Sequence, residues 1–409
     1  MNIYFTGSDV KHLIFILSAF LLLQCRGKLQ TGADQLQNYQ HLFKGKRLGI
    51  VANHTAVDAS GRHIVDIFRK MPGVRVSALF GPEHGFRGSA ADGQHIRDDS
   101  LSAIPVYSLY GASRMPSAEM LRDVDMLVFD IQDIGARYYT YIWSLSYVMD
   151  AAAALGIPLV VLDRPNPITA EFVQGAVNDT SSFVGRFPIA ARHGMTVAEL
   201  ARMFKGEGWV ADSLKLTLIP LKNYRRDLWY DQTGLPFIAP SPNMSSLEIA
   251  TVYPGMCLIE GTNLSEGRGT DSPFLLSGAP WLNSARAARL LNDLQLPGVS
   301  FVDTAFTPVH IPGKAHHPKY EGQRCNGIYL KITDRQRFKP FSTALRLLLV
   351  VKKLHPETLS FRPKGFDRLA GSDHIRGVLE KGGDWKELLP LIRHGLEKFR
   401  RQRHKYLLY

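Results

Sequence analysis

Between residues 41 and 220, short, nearly continuous apolar runs alternate with segments of helical period. Leu48–Ala52 (LGIVA), Val74–Phe80, Pro105–Leu109, Met126–Ile131 (MLVFDI), Ile157–Leu162 (IPLVVL) and Leu214–Leu221 read as strands. Between them, Ser60 is placed to cap a helix through Lys70, with Ile64, Ile67 and Phe68 on one face. Ala118–Arg122 reads as a short helix, and Tyr141–Leu155 as a longer one stopped by Gly156. Thr196 followed three residues later by Glu199 is a capping box opening a helix to Lys205. Strands that are apolar on both faces, alternating with helices, predict a parallel sheet covered on both sides, an α/β domain.

Polar residues gather where these strands end: Asn53 and His54, Glu83 and His84, Asp130 with Gln132 and Asp133, and Asp163 with Arg164 and Asn166. In a parallel sheet such ends share one edge, the edge at which ligands bind in open α/β folds. Residues 223–245, rich in aromatics, Pro and Asn, predict a long irregular segment. Ser246 opens a helix reaching Pro254-Gly255, and a polar, glycine-broken loop follows at Glu260–Pro273. Beyond residue 284 helices and strands mix differently: helix Ala285–Leu294, strands Val299–Phe306 and Gly327–Ile332, helix Ser342–Leu354 and a helical tail. The expected organisation is a catalytic sheet domain at 41–220, a connecting segment at 221–284 and a smaller α+β domain at 285–409.

The N-terminus follows another pattern. Lys11 precedes the apolar run Leu13–Leu23, too short to span a membrane and of the length of a signal-peptide core. Residues 1–24 are expected to be a leader and Cys25 a lipidation site, making the chain an exported lipoprotein of the periplasm or outer membrane. Residues 25–40 read as a linker. The remaining cysteines, Cys257 and Cys325, fit no disulfide framework or zinc motif and are expected as free thiols.

With 409 residues, 45% of them hydrophobic and 21% charged, the chain is globular and long enough for two domains. Its formal net charge of +12 suits an anionic partner. The basic tail Lys398–Lys405 contains a single aromatic, Phe399, too little for stacking bases, so no nucleic-acid partner is expected.

The sequence lacks G-x-G-x-x-G after the first strand, a P-loop, a G-x-S-x-G elbow and H-E-x-x-H. No cofactor and no metal are expected on these grounds. Glu83, just beyond a buried strand and after Pro82, is the leading general acid. Apolar neighbours such as Phe80 and Phe86 would favour the protonated carboxyl that such an acid needs. The stretch Asp130–Tyr141 is densest in polar groups. Its Arg137 and helix N-terminus suit a carboxylate, and its tyrosines suit a sugar face. The loop holding Glu260, Asn263, Glu266, Arg268 and Asp271 offers a second carboxylate or substrate contacts.

The strings GPEHGFRG (81–88), FDIQDIGARYYTYIW (129–143), LDRPNPI (162–168), PSPNM (240–244) and EGTNLSEGRGT (260–270) resemble the YbbC-like family, which includes NamZ-type exo-β-N-acetylmuramidases. The resemblance spans about residues 40–409. It implies a Rossmann-like domain and a smaller C-terminal domain with the active-site cleft between them. It implies release of N-acetylmuramic acid from the non-reducing ends of peptidoglycan fragments, so the expected partners are peptidoglycan-derived muramyl saccharides. Glu83 is the implied catalytic residue, with Tyr138, Tyr139 and Tyr141 implicated. Asp130 or Asp133 is expected as a second catalytic group orienting the substrate acetamide. Arg137, Arg164 or Arg268 would take the lactyl carboxylate. Asn53, His54, His84, Gln132, Asn243, Glu260, Asn263 and Glu266 complete the expected binding set. A non-catalytic muropeptide-binding lipoprotein and a metal-dependent amidase built on His54, His84 and Asp130 are the alternatives.

Overall fold

The computed structural model describes residues 27–87, 99–101, 104–111 and 113–409. The leader at 1–24, Cys25 and the loop Gly88–Gly93 lie outside the described residues.

The apolar runs form a seven-stranded sheet. Its strands are β1 (Arg47–Ala52), β2 (Arg75–Gly81), β3 (Asp99–Leu101), β4 (Ile104–Ser108), β5 (Met126–Asp130), β6 (Leu159–Leu162) and β9 (Leu216–Ile219), in the order β3-β4-β2-β1-β5-β6-β9. All neighbours are parallel except β3 with β4; β7 (Gln174–Val177) and β8 (Ala190–Arg192) form a separate antiparallel pair between β6 and β9 in the chain. The chain winds outward from β1 through β2 to β4, then returns beside β1 at β5 and winds the other way, the doubly wound Rossmann-like arrangement. Alternation along each strand fills both faces. Leu48, Ile50, Met126, Val128 and Val160 enter one apolar cluster, while Val51, Leu127, Phe129, Leu159 and Val161 enter the other.

Two helices cover the second face. One is Tyr141–Leu155, ended by Gly156 in the left-handed region; the other is Val197–Gly206, opened by the Thr196–Glu199 capping box. The smaller unit has a three-stranded antiparallel sheet in the order β10-β12-β11: β10 (Leu276–Ala279), β11 (Val299–Phe306) and β12 (Cys325–Ile332). Helices Leu247–Met256 and Pro340–Leu354 pack together beside it. The second-face cluster continues into this unit through Phe274, Phe341, Leu345 and Phe366, so one apolar core binds the two parts.

Three expectations are corrected. Ser60 caps nothing. The Asp58 carboxylate accepts from Ser60 N and Arg62 N at 2.9 Å each, and that turn delays the helix to Ile64–Arg69 with His63 as its cap. Ala118–Arg122 is a run of turns rather than a helix. Residues 27–40 are not a free linker: Leu29, Ala33 and Leu36 are buried, and Gly32 N donates to Asp163 O at the end of β6. Cys257 and Cys325 are buried free thiols. No helix among the described residues is long and apolar enough to cross a membrane.

Candidate active site

The edge where the parallel strands end carries two different structures. At the crevice between β1 and β5, where strand order reverses, the chain's own side chains fill the space. Asn53 Oδ1 accepts from Thr55 N (3.0 Å) and Thr55 Oγ1 (2.6 Å), and Thr55 Oγ1 accepts from Gln132 N (3.1 Å). Gln132 Nε2 donates to Asp133 O (2.7 Å) and Pro165 O (2.9 Å). The Asp130 carboxylate, fully buried, receives both Nε and Nη2 of Arg164. Burial works against the charge on Arg164, and Asp130 outweighs it, holding the guanidinium charged. His54 Nε2 lies 2.8 Å from Ala239 O, and burial lowers its pKa.

The open cavity lies beside this plug. It encloses about 180 Å³ and is lined from the sheet unit by Glu83, His84, Tyr110, Tyr138, Tyr139 and Thr140. Ser241, Asn243, Tyr253, Cys257, Glu260, Arg268, Phe274 and Leu369 line it from the following segments and the smaller unit. Glu83 and His84 reach it together because the backbone turns sharply after β2. His84 and Gly85 both take positive φ (67° and 75°), and Gly85 N donates to Pro82 O at 2.9 Å. A Cβ at Gly81 would stand 2.6 Å from Phe86 N, so glycine is required where the turn folds back. A left-handed histidine is uncommon and costs roughly 1–2 kcal/mol, strain of the kind found at functional sites. Phe86 packs on the His63 ring (5.4 Å) and Phe80 on Tyr107 (5.5 Å). The polar neighbour of Glu83 is Thr140, whose Oγ1 donates to Oε2 at 2.5 Å.

Opposite charge is supplied by Arg268. Its Nη2 donates to Glu260 Oε1 at 2.7 Å, its Nε lies 3.6 Å from Glu266, and its guanidinium stands 5.1 Å from the Phe274 ring centroid. Lys319 fixes this loop, donating to Ile259 O, Glu260 O, Leu264 O and Glu266 Oε2 at 2.8–3.2 Å. Asn243, 2% exposed, donates through Nδ2 to Lys314 O (2.7 Å), while its Oδ1 has no hydrogen-bond partner among the described residues. A buried acceptor on a cavity wall without a partner suits a ligand N–H.

The expected site residues therefore divide. Glu83, His84, Tyr138, Tyr139, Asn243, Glu260 and Arg268 share the cavity. Asp130, Arg164, Gln132, Asn53 and His54 belong to the plug. Asp133 accepts from Gly135 N at 2.7 Å and faces His193 at 3.2 Å, so it does not line the cavity as a second acid. Arg137 is buried behind the wall, donating to Leu369 O (2.9 Å), and burial lowers its pKa to about 10. It does not reach the cavity to meet a carboxylate. Tyr141 donates to Pro240 O (2.7 Å), Asn263 to Thr358 O (2.9 Å), and Glu266 holds Lys319. Tyr138 lines the cavity, but its hydroxyl donates to Pro254 O and burial pushes its pKa up, so its proton is retained.

Thr140 was not anticipated. It stands at the helix N-cap position, yet its side chain makes no capping bond and turns to Glu83. Lys319 gave no signal either, being 53 residues from its Glu266 partner. The three ligands of the metal-dependent alternative are dispersed: Asp130 binds Arg164 and His54 faces a carbonyl, while only His84 lines the cavity.

Profiles described as the N-terminal and C-terminal domains of the exo-β-N-acetylmuramidase NamZ match residues 48–248 and 251–409. The peptidoglycan β-N-acetylmuramidase NamZ of Bacillus subtilis (strain 168) is 43% identical over 388 residues, covering 93% of this chain and 92% of that protein. Two crystal structures of DUF1343 family proteins from Bacteroides fragilis, each 34% identical, superpose with TM-scores of 0.85 and 0.77. They cover 93% and 94% of this chain and 99% of each of their own.

Proposed function

The chain belongs to the NamZ exo-β-N-acetylmuramidase family, and on that footing we propose how its cavity carries out the reaction and where it does so. The protein is a glycoside hydrolase that releases N-acetylmuramic acid from the non-reducing ends of peptidoglycan fragments. Glu83 is the general acid. The observation that carries this assignment is its place on the cavity wall, where the Thr140 hydroxyl holds one carboxyl oxygen at 2.5 Å; as general acid it supplies a proton from the other. As the bond from the anomeric carbon to the glycosidic oxygen breaks, that proton passes to the departing oxygen. Asn243 Oδ1, without a partner among the described residues, accepts the N–H of the 2-acetamido group. An acetamide so oriented presents its carbonyl oxygen to the anomeric carbon, so one protein acid suffices. Arg268, beside Glu260, takes the lactyl carboxylate. Tyr139 offers a ring face to the sugar, and His84 positions Glu83.

The leader at 1–24 and a lipid on Cys25 would place the protein in the periplasm or on the outer membrane, where wall fragments are released. We take the sheet domain and the smaller domain to be separate contributors, with substrate held between them.

A β-linked chromogenic N-acetylmuramide tests the reading. It should be hydrolysed, and the matching N-acetylglucosaminide, which lacks the lactyl acid, should be hydrolysed far more slowly. Binding of the muramide without turnover would favour the non-catalytic alternative. Thr140→Val should lower kcat about tenfold, the effect of one hydrogen bond to an ionisable partner. It should also move the alkaline limb of the pH–rate profile, the limb set by loss of the acid's proton. Thr140→Ser should restore both, and an unchanged profile would show that the contact only packs the wall.

A further inference from the structure

Away from the cavity, two adjoining hollows share Val173, Gln174, Lys339 and Arg400. One continues to Arg401 and His404, the other to Arg393 and to Arg346, whose guanidinium lies over the Trp385 ring at 4.1 Å. The helix Leu396–His404 is held beside them by Arg403, which is buried and donates to Ala170 O and Gly194 O. Ala170 also packs with Leu29, and Gln30 exchanges backbone hydrogen bonds with Lys222 at 3.0 and 2.9 Å. The basic hollows thus begin at Glu171, next to where the N-terminal segment joins the fold. Lys28, Lys222, Lys339, Arg393 and Arg401 are exposed on these elements and make no ion pair among the described residues. Acidic groups also face these elements: Glu171 on the groove wall, Glu397 paired with Arg400, Asp384 acting on Arg346, and Glu199 and Glu207 acting on Arg403 and Lys405.

We propose that this basic face docks on an anionic membrane surface, with lipid headgroup phosphates seated against Lys339, Arg393 and Arg401. Two observations favour a bilayer over a soluble polyanion. Cys25 stands four residues before Leu29, which shares an apolar cluster with Ala170 beside Glu171, so a lipid on Cys25 would be tied by about 14 Å of chain to the point where the hollows begin. Exposed cations without an ion pair among the described residues also stand outside the hollows, at Lys28 and Lys222 on the N-terminal junction. The inference rests on the proposed anchor for its geometry and is independent of the glycosidase chemistry.

The test uses the chain from residue 25 onward with Cys25→Ser, which keeps every described element. Its binding is measured on vesicles of phosphatidylcholine and on vesicles with about a third phosphatidylglycerol. Binding to the anionic vesicles should exceed binding to the neutral ones at least tenfold, and should be lost as salt screens the surface charge. The triple variant Lys339→Glu, Arg393→Glu, Arg401→Glu should weaken anionic-vesicle binding roughly a hundredfold and leave hydrolysis of a soluble muramide unchanged. Reversing Lys44, Lys46 and Arg75, at the start of β1 and β2, should change vesicle binding less than threefold. Equal losses in both triples would reduce the effect to net charge and overturn the proposal. So would a loss of heparin binding in the first triple with vesicle binding intact, which would assign the groove to a soluble polyanion. Loss of muramidase activity in every form would count against the glycosidase reading and leave the vesicle result to stand.

Discussion

Glu83→Gln is expected to lower kcat for a natural muramyl disaccharide by roughly 10³-fold, within the range for removal of a general acid, with KM little changed. The amide keeps the shape of the carboxyl and still accepts the Thr140 hydroxyl, so the Tm should move little. Only the transferable proton is lost. The size of the effect should therefore depend on the leaving group. An aryl leaving group of low pKa departs with little protonation, whereas a sugar hydroxyl needs it, so the chromogenic muramide should lose far less rate than the disaccharide. Equal losses on both substrates would point to a disturbed cavity rather than to a missing acid. The comparison requires only kcat and KM for two substrates with wild type and variant.

Asp130→Asn is expected to act on stability instead. Asp130 and Arg164 are both buried and share two hydrogen bonds beside the open cavity. Removing one charge leaves a guanidinium desolvated and uncompensated, which typically costs about 3–5 kcal/mol. Chemical denaturation should report that loss, while kcat per folded molecule stays close to wild type. Replacing both partners by apolar residues, Asp130→Leu with Arg164→Met, should recover much of the stability, since the pair's own desolvation is removed with it. A large fall in kcat with unchanged stability would return Asp130 to the reacting centre.

The contrast between these two carboxyls marks how far sequence carries. The sheet was legible because parallel strands buried on both faces leave nearly unbroken apolar runs such as MLVFD and LVVL. That their polar ends share an edge followed from the alternation alone. Which of those ends meet the cavity did not. Asn53, Asp130, Gln132 and Arg164 look as available as Glu83 in sequence. Their fate is decided by distant backbone: Thr55 folds back over the β1 end, Ala239 meets His54, and the segment around Gly32 sits on β6. The family resemblance implicates Tyr141 in the site, yet its hydroxyl donates to the Pro240 carbonyl 99 residues away. Thr140 gives no signal in sequence, since a threonine at a helix start is ordinary capping chemistry. Only the three-dimensional approach of β2 to that helix turns its hydroxyl to Glu83. Ser60 shows the same limit locally, since an aspartate two residues earlier claimed the turn.

A crystal structure of Glu83→Gln soaked with a β-linked muramyl disaccharide tests the central assignment most directly. The sugar should lie between the sheet unit and the smaller unit, with the glycosidic oxygen within about 3.2 Å of the residue 83 side chain, the reach of a proton donor. A glycosidic oxygen out of reach of residue 83, or a disaccharide bound with another carboxyl against that oxygen, would contradict it.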